Sequence, residues 1–253
     1  MILICAYIFI LGLILGSFFN VCIYRIPKEQ SISYPPSHCT NCQNKIKWYD
    51  LIPVLSYVIL GGKCRHCKEK ISIRYPVIEL LTAFLFLAIY IKYGLSLLTL
   101  KYIILASFLI IIGMIDFDTT DVYDITTIPA IVLGIIFVLY AVIQKMDWQF
   151  LVLGGLVGGG FIALIILLTK GMGWGDAEIC LFCGLFLGLK LTVLMLFLSM
   201  LLGGVIGIIL IILKIKGRKD YIPFGPFIAM ATMITILYGQ NIIDFYIRHI
   251  LWK

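Results

Sequence analysis

Long apolar runs separated by short polar segments dominate this chain. The runs cover approximately residues 2–24, 76–91, 97–115, 123–143, 149–169, 177–189, 191–213 and 226–243. Because a helix needs about 20 apolar residues to cross a bilayer, the pattern predicts about eight transmembrane helices. The sixth run covers only about 20 Å at a helical rise of about 1.5 Å per residue, so we expect it to begin inside the membrane, beneath Asp176.

The composition favours an all-α integral membrane protein. Of the 253 residues, 62% are hydrophobic and 13% are charged, against about 25% charged residues in soluble globular domains. Continuous apolar runs favour helices over a closed barrel, whose strands would show alternating segments of about 10 residues. The first run has no basic region before it and no small-residue cleavage site after it, so we interpret it as a retained helix and not a signal peptide.

The distribution of Lys and Arg predicts the orientation. If the 25–75 loop is cytoplasmic, that side receives fourteen of the twenty basic residues and both termini face outward, as the positive-inside rule requires. The net charge of +7 then follows from the topology and needs no nucleic-acid partner. We divide the chain into a first helix (1–24), a cytoplasmic domain (25–75) and a transmembrane core (76–253).

Two short cysteine pairs in the 25–75 loop predict a structural zinc site. The four residues are Cys39, Cys42, Cys64 and Cys67. Two tight turns with two thiolates each can complete a tetrahedral shell, and a bound metal would stabilise a loop with little apolar content. His38 or His66 could replace one thiolate. A pair of disulfides is the alternative, although disulfides rarely persist in the reducing cytosol.

The other cysteines carry a simpler interpretation. Cys180 and Cys183 repeat the spacing of a metal-binding pair, but they lie in an apolar run without a second pair. We interpret them, together with Cys5 and Cys22, as buried thiols.

Asp116 and Asp176 are the strongest candidates for chemistry. A carboxylate in a transmembrane helix costs roughly 2.5 to 3.5 kcal/mol, so such a residue is a functional candidate. Asp116 continues an apolar run directly, and Asp176 ends a turn with glycine at positions 171, 173 and 175. Glycine allows positive φ and close approach of another segment, which suggests an active-site turn. The alternatives are a polar helix end for Asp116 and a helix cap for Asp176.

Three further acids follow Asp116 in the same loop. Asp118 and Asp121 are predicted to be exposed, and Asp124 precedes a helix that its side chain could cap. Two carboxylates close together in a dry site cannot both ionise easily, so one would keep its proton and the other its charge. Asp116 and Asp176 could therefore perform aspartic-protease chemistry.

The chain resembles the bacterial type IV prepilin peptidases, which are Gly-x-Gly-Asp aspartyl membrane proteases. The matching motifs run in family order along nearly the whole chain: Gly16-Ser-Phe-Phe-Asn20-Val-Cys-Ile-Tyr-Arg25-Ile-Pro27, Asp50-Leu-Ile-Pro-Val-Leu-Ser56, Gly61-Gly-Lys-Cys64, Arg74-Tyr-Pro-Val-Ile-Glu79, Asp116, Gly173-Trp-Gly-Asp176 and Pro223-Phe-Gly-Pro226. The resemblance implies an inner-membrane endopeptidase that removes the basic leader of type IV prepilins and pseudopilins on the cytoplasmic side. It implies Asp116 and Asp176 as the catalytic pair and zinc on the four loop cysteines.

The resemblance also implies that the new N-terminus is methylated with S-adenosylmethionine, as in many family members. The sequence shows no Gly-x-Gly-x-x-Gly motif after a strand, so the usual cofactor-binding unit is absent. Asn20, Arg74 and Glu79 are candidate cofactor or substrate contacts, with hydrogen bonds between packed helices as the alternative. Asp124 and Gly225 are candidate substrate contacts, and for Gly225 the alternative is a plain turn before the last helix.

Several positions depart from the family pattern. The family often has Leu-Pro where Val122 and Tyr123 stand, Lys where Glu178 stands, and Pro where Thr40 stands. These departures remove no catalytic acid and no metal ligand. Two other functions are compatible with membrane carboxylates or a zinc loop, namely a cation-coupled transporter and an assembly scaffold.

Overall fold

The computed structural model describes residues 2–169, 171–217 and 220–251, and helices form nearly all of its regular structure. The helices are α1 (Ile2–Arg25), α2 (Leu55–Ile59), α3 (Arg74–Tyr93), α4 (Leu97–Thr119), α5 (Asp124–Ile143), α6 (Trp148–Thr169), α7 (Trp174–Leu187), α8 (Leu189–Ile212) and α9 (Gly225–Tyr246). Short 3-10 turns occupy Ile26–Lys28 and Trp48–Leu51, and a π-helical turn, Ile247–Leu251, follows α9.

The long helices confirm the predicted all-α membrane fold. Within the described residues, seven helices are long and apolar enough to cross a membrane. The sixth predicted run, 177–189, corresponds to α7, which has 14 residues and is about 21 Å long at the α-helical rise. It begins at Trp174, so Asp176 lies inside its first turn and not above its start as expected.

Contacts divide the chain into two compact units, Met1–Thr99 and Leu100–Lys253. In the first unit α1 packs against α3, and glycines allow the two backbones to approach closely. A methyl group on Gly12 would lie 2.5 Å from Cα of Ala83, and one on Gly16 would lie 2.8 Å from Cα of Glu79. Small residues spaced four apart are typical of membrane helix interfaces. The sequence-based division at residue 76 separates α3 from α1, whereas the contacts group them together.

In the second unit α7 is buried, and α6 presents a glycine-rich face to it. A methyl group on Gly154 would lie 2.5 Å from the carbonyl oxygen of Gly184, and one on Gly158 would overlap the carbonyl of Cys180. Phe182 and the two cysteines of α7 are fully buried, in agreement with the interpretation of Cys180 and Cys183 as buried thiols. This packing holds the short helix that carries Asp176 inside the second unit.

Candidate active site and metal centre

Asp116 lies in the last turn of α4 and is fixed by the start of α9. Its side chain is 2% exposed. Its Oδ2 accepts a hydrogen bond of 2.7 Å from the backbone N–H of Gly225, which is the first residue of α9. The N-terminus of a helix carries a partial positive charge. This arrangement therefore stabilises a negative charge on Asp116.

Gly225 meets Asp116 so closely that no larger residue fits there. An ideal Cβ on Gly225 would lie 2.6 Å from Oδ2 of Asp116. The sequence suggested Gly225 as a substrate contact or a plain turn residue. In the structure its role is to bring a backbone donor to the carboxylate of Asp116.

Asp176 lies in the first turn of α7 and is also 2% exposed. Its Oδ2 is buried without a hydrogen-bond partner among the described residues. The negative charge of Asp116 acts on Asp176, so the two carboxylates share one electrostatic environment. A buried polar atom without a partner is costly and is often kept for function. The free oxygen is therefore available to a water molecule or a substrate.

The glycine turn before Asp176 serves close packing and not unusual backbone angles. Gly173 and Gly175 are absent from the described residues with positive φ, so that part of the expectation is wrong. Close approach is confirmed. A methyl group on Gly175 would overlap the side chain of Val122, and one on Gly173 would lie 3.7 Å from the hydroxyl oxygen of Tyr221. The turn therefore packs against the loops that follow α4 and precede α9.

Tyr221 is a site residue that the sequence analysis missed. Its hydroxyl group faces Gly173. Partial burial raises its pKa, and the negative charges of Asp176 and Asp116 raise it further. The phenol therefore stays neutral and can donate a hydrogen bond. A single tyrosine in a polar loop gives no sequence signal, because only folding brings it to the acids.

Glu178 stands where the family often has lysine, and it contacts a different helix. Its Oε2 accepts a hydrogen bond of 2.6 Å from the hydroxyl group of Thr127 in α5. Thr127 is fully buried. The side chain of Glu178 thus links α7 to α5, and the family lysine has no counterpart at this position.

The three acids after Asp116 lie at the surface. Asp118, Asp121 and Asp124 are exposed, as predicted for the first two. The expected N-cap role of Asp124 is wrong, because Asp124 is the first residue of α5 and Tyr123 occupies the cap position without a side-chain bond. The acids therefore contribute negative potential next to the site.

The four loop cysteines form one cluster in the first unit. Their sulfur atoms all lie within 4.8 Å of one another. The Sγ atoms of Cys39 and Cys67 are 3.8 Å apart, and those of Cys42 and Cys64 are 4.0 Å apart. A tetrahedral Zn²⁺ with bonds of about 2.3 Å separates its sulfur ligands by about 3.8 Å. The distances fit zinc and are too long for disulfide bonds.

The two cysteine pairs lie on turns of the same shape. The N–H of Cys39 donates to Asn44 and the N–H of Cys64 donates to Glu69. Backbone N–H groups of Cys67 and His66 point at the sulfur of Cys64 and lower its thiol pKa to about 7. The ligand cluster contains cysteines alone, and the His38 ring bonds to the carbonyl of Pro36.

The candidate cofactor residues of the first unit make internal contacts. Asn20 donates to the carbonyls of Gly16 and Tyr75 and so joins α1 to α3. Glu79 accepts a hydrogen bond of 2.8 Å from the N–H of Val54. Arg74 is the half-buried first residue of α3. For Asn20 and Glu79 the structure thus shows packing bonds.

Comparisons with known proteins cover both units. The model of the bacterial peptidase A24 N-terminal domain matches residues 10–93, and that of the type IV leader peptidase family matches residues 103–208. No solved structure gives a significant match.

Several curated relatives are similar over almost their whole length. A prepilin leader peptidase/N-methyltransferase of Bacillus subtilis (strain 168) is 36% identical, over 95% of this chain and 97% of the relative. Proteins with the same name from Neisseria gonorrhoeae and Pseudomonas putida are 35% and 31% identical, each over 92% of this chain and 90% of the relative. The chain therefore belongs to the type IV leader peptidase family.

Proposed function

We propose that this protein is a membrane aspartyl endopeptidase in which Asp116 and Asp176 are the catalytic pair. One observation carries the proposal. Two buried carboxylates interact in one site, one held by the N–H of Gly225 and the other with a free oxygen. Such a pair is costly in a membrane helix, so the two carboxylates are candidates for function by default.

The reaction is hydrolysis of a peptide bond by an activated water molecule. The charged carboxylate removes a proton from the water, whose oxygen attacks the scissile carbonyl carbon. The protonated carboxylate donates its proton to the carbonyl oxygen, which gives a neutral tetrahedral intermediate. As the C–N bond breaks, the first carboxyl group passes the proton taken from water to the leaving amine, and a hydroxyl group of the intermediate returns a proton to the second carboxylate. The pair ends with one shared proton, as it began.

The hydrogen-bond pattern supports one distribution of the two roles. Gly225 and the N-terminus of α9 stabilise negative charge on Asp116. Asp176 has a free Oδ2 with no donor among the described residues. Asp116 is therefore the charged member that activates water, and Asp176 is the member that carries the proton.

The substrate class follows from the relatives and from surface charge. The relatives are named prepilin leader peptidases, and a prepilin has a basic leader before an apolar helix. Exposed Asp118, Asp121 and Asp124 next to the site would attract such a leader. The excess of Lys and Arg on one side supports a cytoplasmic position for these acids and the site in a bacterial inner membrane, with both termini outside.

Methylation of the new N-terminus is the second activity that we propose. It rests on the second half of the relatives' name, N-methyltransferase. S-adenosylmethionine is the methyl donor expected for such a reaction. The candidate contacts Asn20 and Glu79 are engaged in packing bonds, so we assign no residue to the donor and derive no step through it.

The zinc centre has a structural role in this proposal. Four thiolates would fill the coordination shell of Zn²⁺, which leaves no open position for a substrate. The metal would join the two turns and close the loop between Cys42 and Cys64.

The test is cleavage of a prepilin by purified protein in proteoliposomes. Asp116→Asn and Asp176→Asn should each abolish cleavage while membrane abundance stays unchanged. The matched control is Asp147→Asn, the same change at an exposed position between α5 and α6, which should retain full activity. Full activity in either site variant would overturn the catalytic pair.

Product masses test the second activity in the same samples. With S-adenosylmethionine present, the cleaved pilin should gain the mass of one CH2 unit, because a methyl group replaces a hydrogen, and without it the mass should correspond to cleavage alone. Cleavage without any methyl gain would remove the methyltransferase proposal and leave the peptidase intact.

A further inference from the structure

The segment between the two zinc-binding turns is the most apolar part of the loop that the sequence analysis assigned to the cytoplasm. From Leu51 to Leu60 it contains no charged residue. Its large apolar side chains are exposed within the protein: Trp48 (79%), Leu51 (43%), Ile52 (40%), Leu55 (53%), Val58 (68%) and Ile59 (69%). Contiguous exposed apolar side chains mark an interaction surface.

A hydrogen bond fixes the height of this segment along the transmembrane helices. The N–H of Val54 donates to Glu79 at 2.8 Å. Glu79 lies at the level of Gly16, because a methyl group on Gly16 would lie 2.8 Å from Cα of Glu79. Val54 itself has φ +60°, which is strained for a β-branched residue. Glu79 thus holds a strained turn at the level of Gly16.

That level lies inside the bilayer. Gly16 precedes Arg25, the last residue of α1, by nine residues, which corresponds to about 13 Å along the helix. The 24 residues of α1 span about 36 Å, so each end extends about 3 Å beyond a hydrocarbon core of about 30 Å. The turn at Val54 is therefore about 10 Å inside the hydrocarbon core.

An apolar groove independently shows that the segment lies beside the apolar middle of α1. It has a volume of about 490 Å³ and lies between α1 and the segment. The residues from α1 are Ile10, Leu13 and Ile14, and those from the segment are Trp48, Leu51, Ile52, Pro53 and Leu55. Ile10 and Ile14 belong to the middle of α1, so the groove continues the lipid-facing surface of a membrane helix.

The backbone of the segment is suited to an apolar environment. The N–H groups of Ser56, Val58 and Leu60 donate to carbonyls four residues earlier, and that of Val54 donates to Glu79. Irregular backbone at membrane depth is tolerated where protein groups satisfy it. At the entrance, Asp50 forms an ion pair of 2.6 Å with Arg65 beside the second zinc-binding turn.

We propose that Trp48–Ile59 is a re-entrant segment that dips into the cytoplasmic leaflet, with lipid acyl chains filling its groove against α1. The two zinc-binding turns lie before and after it, so a bound metal holds its ends together at the membrane surface. Acyl chains are the occupant because the groove is lined by apolar side chains and is continuous with the outer face of α1. Zinc binding and membrane attachment are then properties of one element.

Quenching of tryptophan fluorescence by brominated lipids tests this proposal on the full chain in phosphatidylcholine vesicles. In the first variant Trp148, Trp174 and Trp252 are replaced by Phe, so that Trp48 is the reporter. In the second, Trp48 is also replaced by Phe and Val58→Trp moves the reporter. The matched control instead carries Ile32→Trp, at an exposed apolar position of the loop before the first cysteine pair.

Lipids brominated in the acyl chain should reduce the emission of Trp48 and of the Val58→Trp reporter by about twofold, because both lie at hydrocarbon depth. Acrylamide in the water should quench the Ile32→Trp control strongly and the other two weakly. A single sharp gel-filtration peak identifies folded samples, and either reporter suffices if the other variant misfolds. Strong acrylamide quenching with no effect of brominated lipid at these reporters would overturn the re-entrant segment.

Discussion

The backbone N–H of Gly225 donates a hydrogen bond of 2.7 Å to Oδ2 of Asp116, and the two residues are 109 positions apart. This bond joins the end of α4 to the start of α9. It explains why glycine stands at the first position of α9, since a Cβ there would meet the same oxygen at 2.6 Å.

Gly225→Ala should therefore reduce prepilin cleavage by a factor on the order of 100, as expected when one precise donor to a catalytic carboxylate is displaced. Initial rates in proteoliposomes at equal protein amounts measure the effect. Gly160→Ala is the matched control, because a methyl group at Gly160 meets no atom within 4 Å. Equal activity of the two variants would contradict the role of Gly225.

The pH dependence of cleavage should be bell-shaped. At low pH both Asp116 and Asp176 carry protons and no base remains, whereas at high pH both are charged and no acid remains. The acidic and the alkaline limb of this pH profile both report ionisation of the coupled pair, and neither limb belongs to one carboxylate alone. Rates measured from acidic to alkaline pH should show both limbs, and Asp147→Asn should leave them in place. A rate that rises to a plateau and stays there would exclude a shared proton.

Tyr221→Phe should lower kcat by about 10-fold, the effect of losing one hydrogen bond of about 1.4 kcal/mol. The hydroxyl group faces Gly173 in the turn that carries Asp176. Because the phenol pKa is raised by burial and by the nearby carboxylates, Tyr221 is neutral across the working range. The variant should therefore lose rate without a new limb in its pH profile.

Tyr238→Phe is the matched control for that experiment, since Tyr238 is 60% exposed on α9. It should retain the rate of the original protein. If Tyr221→Phe and Tyr238→Phe cleave equally well, the Tyr221 hydroxyl group has no part in the site.

Thr127→Val should lower the free energy of unfolding by about 1 to 2 kcal/mol, because it leaves partly buried Glu178 without its donor. Thermal unfolding in detergent measures the change. A double-mutant cycle with Glu178→Ala isolates the pairwise contribution, because alanine removes the acceptor oxygen that glutamine would keep. Additive effects of the two changes would show that the hydrogen bond between α5 and α7 contributes nothing to stability.

Cys42→Ser should remove bound zinc and expose the 37–70 region to proteases, since three thiolates hold the metal poorly and the turns depend on it. Metal analysis and limited proteolysis provide the two measurements. The matched control is Cys5→Ser. Because Cys5 lies outside the four-cysteine cluster, this variant should keep one zinc ion per chain. Unchanged zinc content in Cys42→Ser would contradict a four-cysteine site.

Much of this architecture follows from local sequence properties. Helix positions are set by continuous apolar runs, and the predicted spans agree with the long helices to within a few residues. The cysteine spacing predicts the cluster of Cys39, Cys42, Cys64 and Cys67 because each turn positions two sulfurs by itself. Asp116 and Asp176 stand out because their cost in an apolar run can be judged without knowing their neighbours.

The contacts that give these residues their environment depend on packing between distant segments. Three contacts join elements that are far apart in the chain. They are Gly225 with Asp116, Tyr221 with Gly173, and Thr127 with Glu178. The hydrogen bond from Val54 to Glu79 also joins distant segments, and it sets the depth of part of a loop that the sequence predicts to be soluble. Hydropathy is a property of each short segment, so the sequence by itself determined the helices, the four thiols and the two acids. Hydrogen-bond partners and close approaches depend on how helices meet in space, so only the tertiary structure decided that Gly225 holds Asp116 and that, within the described residues, Asp176 keeps a free oxygen.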